Sequence, residues 1–93
     1  MKVYLDDVRP EPAGWARAYS YEECIELLET GDVTHLDLDW NLGQGSERTG
    51  LSVLVWLESR VRKGRISLPE IGVHTADARA RREMLAIVRR LAR

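Results

Sequence analysis

Val3-Tyr4-Leu5-Asp6-Asp7-Val8-Arg9-Pro10 is an apolar run that ends in two carboxylates and then breaks at a proline. Lys2 to Leu5 reads as a short strand, and Pro10, Pro12 and Gly14 make the continuation a loop. A second run, Val33 to Leu38, ends the same way, in Asp39. Two strands that each finish in carboxylates predict a parallel sheet with an acidic cluster at its carboxyl edge, where open α/β sheets bind ligands. Three carboxylates there repel one another unless a hard cation neutralises them, and Mg²⁺, which takes oxygen ligands and keeps several waters, suits that task. The competing reading is plainer: Asp6-Asp7 and Asp39 only open turns before Pro10 and Gly43. Their occurrence at matching strand ends favours a metal pocket of Asp6, Asp7 and Asp39.

Outward from these two strands the remaining elements follow. Trp15 to Tyr19 alternates large and small residues and predicts a second strand. Ser20-Tyr21-Glu22-Glu23 is a capping-box sequence that starts a helix running to Thr30, with Gly31 as its stop. Val33 to Asp39 is the third strand, and Asn41 to Glu47 a polar loop. Thr49 caps a second helix, apolar at Leu51, Val53, Leu54, Trp56, Leu57 and Val61, which ends at Lys63-Gly64. Ile71 to His74 is the fourth strand. A last helix runs from about Ala78 to the end, with Met84, Ile87, Val88 and Leu91 along one face. The order β, β, α, β, α, β, α makes the helix-linked strands parallel.

Each strand has one apolar or small face: Val3 and Leu5, Ala16 and Ala18, Leu36 and Leu38, Ile71 and Val73. The opposite faces carry Lys2 and Tyr4, then Trp15, Arg17 and Tyr19, then His35 and Asp37, then Gly72 and His74. A parallel sheet covered on both sides reads as near-continuous apolar runs. This sheet is therefore expected to be covered on one side only. Its second face, with Tyr4, Trp15, Arg17 and Tyr19, is the expected surface for a second copy or a protein partner, and Asp37 reads as a solvated charge upon it in preference to an added acid supporting the site.

The 93 residues bound the chain to one small domain, residues 1–93. No apolar run approaches the roughly 20 residues of a membrane span, and no signal-peptide pattern opens the chain. Cys24, the single cysteine, forms no internal disulfide, which fits the cytoplasm, and its apolar context makes it a core residue. The net charge of −1 hides a polarity: residues 1–58 hold 4 basic and 12 acidic residues, and residues 59–93 hold 10 and 3. An acidic pocket beside a cationic flank suits a phosphorylated ligand that also needs a metal. Near-neutral charge and the lack of a helix-turn-helix pattern argue against sequence-specific DNA binding.

Taken in order, VYLDDVRP (Val3 to Pro10), LDWNLG (Leu38 to Gly43), TGLSVLVWL (Thr49 to Leu57) and Val73-His74-Thr75, with Arg81 and Met84 downstream, resemble response-regulator receiver domains. More specifically they resemble the compact group called cyclic-phosphate processing receiver domains. The resemblance implies a truncated receiver or flavodoxin-like α/β fold, with four mainly parallel strands in the order 2-1-3-4 and three helices mostly on one face. It makes Asp6 and Asp7 the metal-binding acid pair and Asp39 the counterpart of the phosphorylated aspartate, so that Asp6, Asp7 and Asp39 hold Mg²⁺ or Mn²⁺. The metal then activates water or positions Asp39 as a nucleophile, His74 serves as general acid or base, and Arg9, Thr75 and Arg81 bind phosphate. The implied substrates are phosphate esters, cyclic phosphates of nucleotides or RNA ends among them, so the partner is a phosphorylated small molecule or an RNA terminus.

The departures define the alternatives. Only Lys2 and Lys63 are present, and neither fits the lysine that closes a receiver's fifth strand. Trp40 and Asn41 stand where the compact group carries a histidine and an acid, and Thr75 and Asp77 where it carries serine and asparagine. A non-enzymatic phosphoacceptor module signalling through the open sheet face, and a simple interaction scaffold, stay open. Locally, His74 could instead be a structural histidine bonded to Asp77, Arg9 could pair with Asp6 or Asp7, and Trp40 could pack on its loop.

Overall fold

Four short strands carry the chain back and forth across one sheet: β1 (Lys2–Leu5), β2 (Ala16–Ala18), β3 (His35–Leu38) and β4 (Glu70–Val73). Between and after them run α1 (Tyr21–Glu29), α2 (Gly50–Arg62) and α3 (Ala78–Leu91). The structure, a computed structural model, describes residues 1–43 and 45–93. Every strand pair is parallel and the order is β2-β1-β3-β4. The fold is the truncated receiver, flavodoxin-like α/β arrangement expected from the sequence. β1 has its expected bounds, β2 and β3 are shorter than expected, with Trp15 and Tyr19 flanking β2, and β4 begins one residue earlier, so that His74 lies just past it.

Helix ends follow local chemistry. Ser20 Oγ accepts the Glu23 N–H at 3.2 Å to cap α1, and Gly31, at φ +79°, lets the chain turn away after it. Thr49 caps α2 in a box with Ser52, whose hydroxyl accepts the Thr49 N–H. Asp77 caps α3, its Oδ1 accepting the Ala80 N–H at 2.9 Å. The Asp77 carboxylate is thus committed to the helix rather than to His74.

All three helices pack on the same face. Val3, Leu5, Ala18, Leu36 and Leu38 meet Cys24 and Leu28 of α1, Val53, Leu54 and Leu57 of α2, and Met84 and Ile87 of α3 in one core cluster. Each fully buried leucine contributes about 2 kcal/mol by leaving water. Cys24 is buried there, and burial pushes its thiol up to about 12, which leaves it an inert core residue. No helix among the described residues is long and apolar enough to cross a membrane.

Among the described residues the second face carries no helix, but it covers part of itself. Tyr4 is only 9% exposed because His74 stacks on it, 4.4 Å between ring centroids and 2° between planes, and Trp15 meets its edge. Lys2 Nζ lies over Trp15, and the Arg17 guanidinium over Tyr19.

One glycine decides how closely α2 approaches the sheet. Gly50 N–H donates to the Trp40 carbonyl at 3.0 Å, and a Cβ there would overlap the Asp39 carbonyl oxygen and reach 2.9 Å from Met84 Cε. Gly50→Ala must push α2 away from the strand end that bears Asp39. It is expected to cost about 3 kcal/mol of unfolding free energy, measured by urea denaturation.

Candidate functional site

Register assembles the site. Leu5, Leu38 and Val73 sit side by side on β1, β3 and β4, and the ladder runs one residue further: Asp39 N–H donates to Leu5 C=O at 3.0 Å and His74 N–H to Leu38 C=O at 2.9 Å. Asp6, Asp39 and His74 are the next residues of the three strands. Strand alternation turns all three toward the helix-free side, in one row at the carboxyl edge. Each offers a ligand atom, and these atoms lie within 4.8 Å of one another.

Asp6 is 1% exposed. Its Oδ1 accepts the N–H groups of Val8 and Arg9, both at 2.8 Å, which shapes the turn after β1. Its Oδ2 faces His74 Nε2 at 3.0 Å, with the Arg9 guanidinium 4.0 Å away. The other ring nitrogen, His74 Nδ1, is 2.6 Å from Asp37 Oδ1. Ionised carboxylates only accept, so both contacts are hydrogen bonds when the ring carries two protons. Asp37, which sequence reasoning treats as a solvated charge, is instead the nearest partner of His74. The signal was present: Asp37 pairs in register with Gly72, two residues before His74 on the same face.

In front of this row lies an open depression of about 500 Å³, lined by Asp6, Asp7, Arg9, Asp39, Trp40, Thr75 and neighbouring loop residues. Asp39 Oδ1 accepts the Trp40 N–H at 2.8 Å. Asp7 shares the depression but is not one of the three residues within 4.8 Å; a Cβ on Gly43 would lie 3.0 Å from its Oδ2. Thr75 Oγ1 accepts the Asp77 N–H, and Trp40 packs against the core cluster. Two predicted residues are placed differently. Arg81 Nη1 donates to the Val73 carbonyl at 2.9 Å and so closes the end of β4. His74, held between two carboxylates, could transfer a proton to a ligand only if one of those bonds opened.

A family model described as the cyclic-phosphate processing receiver domain matches residues 1–90. The chain belongs to this family. Comparison with curated proteins and with solved structures gave no significant match. Among the described residues that line the depression, the basic side chain is Arg9. Lys2 is drawn over Trp15, and Lys63 caps the C-terminus of α2.

The site's electrostatics follow from its contacts. Burial pushes the Asp6 carboxyl up, but the N–H groups of Arg9 and Val8 and the His74 ring outweigh it, holding Asp6 below its ordinary 3.8. Burial pushes His74 toward neutrality. The hydrogen bond and charge of Asp37, then Asp6 and Asp39, outweigh that and raise the ring above 6.5. Asp39 is raised above 3.8 by burial and by the Asp6 charge, offset in part by the Trp40 N–H, His74 and Arg9.

The signs of the resulting pH dependence differ. Stability from His74 is complete below 6.5 and lost as pH rises through its raised folded value. Stability from Asp6 is present above 3.8 and lost as pH falls through its depressed folded value. Asp39 withdraws stability as pH rises from 3.8 through its raised folded value. In the metal-free protein, NMR titration is expected to place the His74 midpoint above 6.5, and Asp37→Asn to lower it. A native midpoint below 6.5 would contradict this electrostatic account.

Proposed function

We propose that this domain holds Mg²⁺ or Mn²⁺ in the depression at the carboxyl edge of its sheet and processes phosphate esters there, cyclic phosphates of nucleotides or RNA ends among them. The observation that carries the reading is the convergence of His74 with the Asp6 and Asp39 carboxylates, which line an open depression. The description of the family supports the choice of cyclic phosphates as the substrate class. The donor chemistry fits the ion: Asp6, Asp7 and Asp39 are hard oxygen donors, and a buried anion such as Asp6 beside a second carboxylate favours a counter-charge. Asp6, Asp7 and Asp39 would hold it. Bound there, the ion would supply Lewis-acid charge to phosphoryl oxygens.

The remaining steps belong to the protein's own side chains. Arg9, half-exposed at the rim, presents a forked guanidinium to phosphate oxygens. The Thr75 hydroxyl offers a further donor on the same lining. Asp39, on the lining of the depression, takes the proton from an attacking water. In that reaction the water oxygen bonds to phosphorus, one ring P–O bond breaks, and the released oxygen takes the proton back from Asp39 to leave a phosphomonoester. Trp40 forms a wall against which a base can rest. Arg81, engaged by the Val73 carbonyl, has no part in this reading.

Calorimetric titration with Mg²⁺ and Mn²⁺, followed by assay on a 2′,3′-cyclic nucleotide, tests the proposal. The native chain is expected to bind the ion and open the ring. Asp39→Ala is expected to bind more weakly and to lose about 100-fold or more in rate. Metal binding with stable phosphorylation of Asp39 by a small phosphodonor, and no ring opening, would favour a phosphoacceptor module instead. No metal binding by the native chain would overturn both.

A further inference from the structure

Asp37 has no place in the phosphate chemistry above, yet it makes the shorter of the two bonds to the His74 ring, 2.6 Å from Nδ1. Tyr4 lies flat against the same ring, 4.4 Å between centroids and 2° between planes. A hydrogen bond on one nitrogen and a ring stacked on one face fix both the tautomer and the plane of an imidazole, and so aim its other nitrogen. That nitrogen, Nε2, points into the carboxylate cluster. It is 3.0 Å from Asp6 Oδ2, and Asp39 brings a ligand atom within 4.8 Å.

We infer that His74 Nε2 is itself a ligand of the cation alongside Asp6 and Asp39, that Asp37 and Tyr4 are its positioning residues, and that the site takes Mn²⁺ in preference to Mg²⁺. This rests on the reading that a divalent cation binds here at all. Imidazole nitrogen suits first-row transition ions, whereas Mg²⁺ is served by carboxylate, carbonyl and water oxygens. A carboxylate behind a histidine behind a metal is the arrangement that orients imidazole ligands and makes them better donors. His74 would coordinate through Nε2 after losing the proton it shares with Asp6 Oδ2 to solvent, while keeping the Nδ1 proton on its bond to Asp37.

The test is pulsed electron paramagnetic resonance of Mn²⁺ bound to the native chain, with natural-abundance and ¹⁵N-labelled histidine. The chain has two histidines. His35 lies at the amino end of its strand, bonded to Thr34 and Glu70. The expected result is a histidine-nitrogen coupling that persists in His35→Gln and disappears in His74→Gln. Asp37→Asn is expected to weaken Mn²⁺ binding about 10- to 100-fold. Bound Mn²⁺ without a nitrogen coupling in the native chain would overturn this inference and leave the all-oxygen site, with the proposed function, standing. Failure of the native chain to bind Mn²⁺ or Mg²⁺ would overturn both.

Discussion

Asp6 sits at the end of a central strand with its carboxylate almost wholly removed from water. Burying an ionised carboxylate without partners costs several kcal/mol even after the surroundings relax. Much of the site's organisation can be read as the compensation. The turn from Asp6 to Arg9 wraps so that two N–H groups point at Oδ1. The His74 ring reaches from β4 across β3 to satisfy Oδ2. A ring so placed needs a partner for its second nitrogen, and Asp37 supplies it from the intervening strand. Tyr4, one strand row back from Asp6, is buried by the same ring. One buried charge thus ties the acid pair of β1, the face of β3 and the end of β4 into a single constellation.

The one-sided sheet makes that constellation affordable. With all three helices on the apolar face, the opposite face has room for a row of polar and aromatic side chains that would find no space under a helix. Gly72 lies opposite Asp37 on β4 in register. On the other side of the sheet the helices are joined to each other as well as to the strands. Glu58 of α2 receives two bonds from Arg90 of α3, at 2.6 and 2.9 Å. The helical layer holds the strand ends in register, and the open layer uses that register to build the site.

Much of this was legible in the sequence, because local chemistry dictates it. The apolar run before Asp6-Asp7 and its counterpart before Asp39 are strands ending at one edge. Thr49 and Ser20 are caps where caps were expected, and strand alternation correctly separated Val3 and Leu5 from Lys2 and Tyr4. The family resemblance supplied the strand order. What escaped was every feature that depends on neighbours distant in the chain. Asp37 and His74 meet 37 residues apart, a pairing that alternation permits but does not select. Arg81 can be placed on a helix from its spacing, yet only the structure shows it reaching back to the Val73 carbonyl. The burial of Tyr4 follows from a ring that arrives from two strands away.

The central claim is that the row formed by Asp6, Asp39 and His74 is a cation site. Anomalous diffraction from crystals grown with Mn²⁺ tests it most directly. The account predicts an anomalous peak within bonding distance of Asp6 and Asp39 carboxylate oxygens, at the back of the depression lined by Arg9 and Thr75. Well-ordered crystals at saturating Mn²⁺ with no peak there, and with His74 still spanning Asp37 and Asp6, would contradict it.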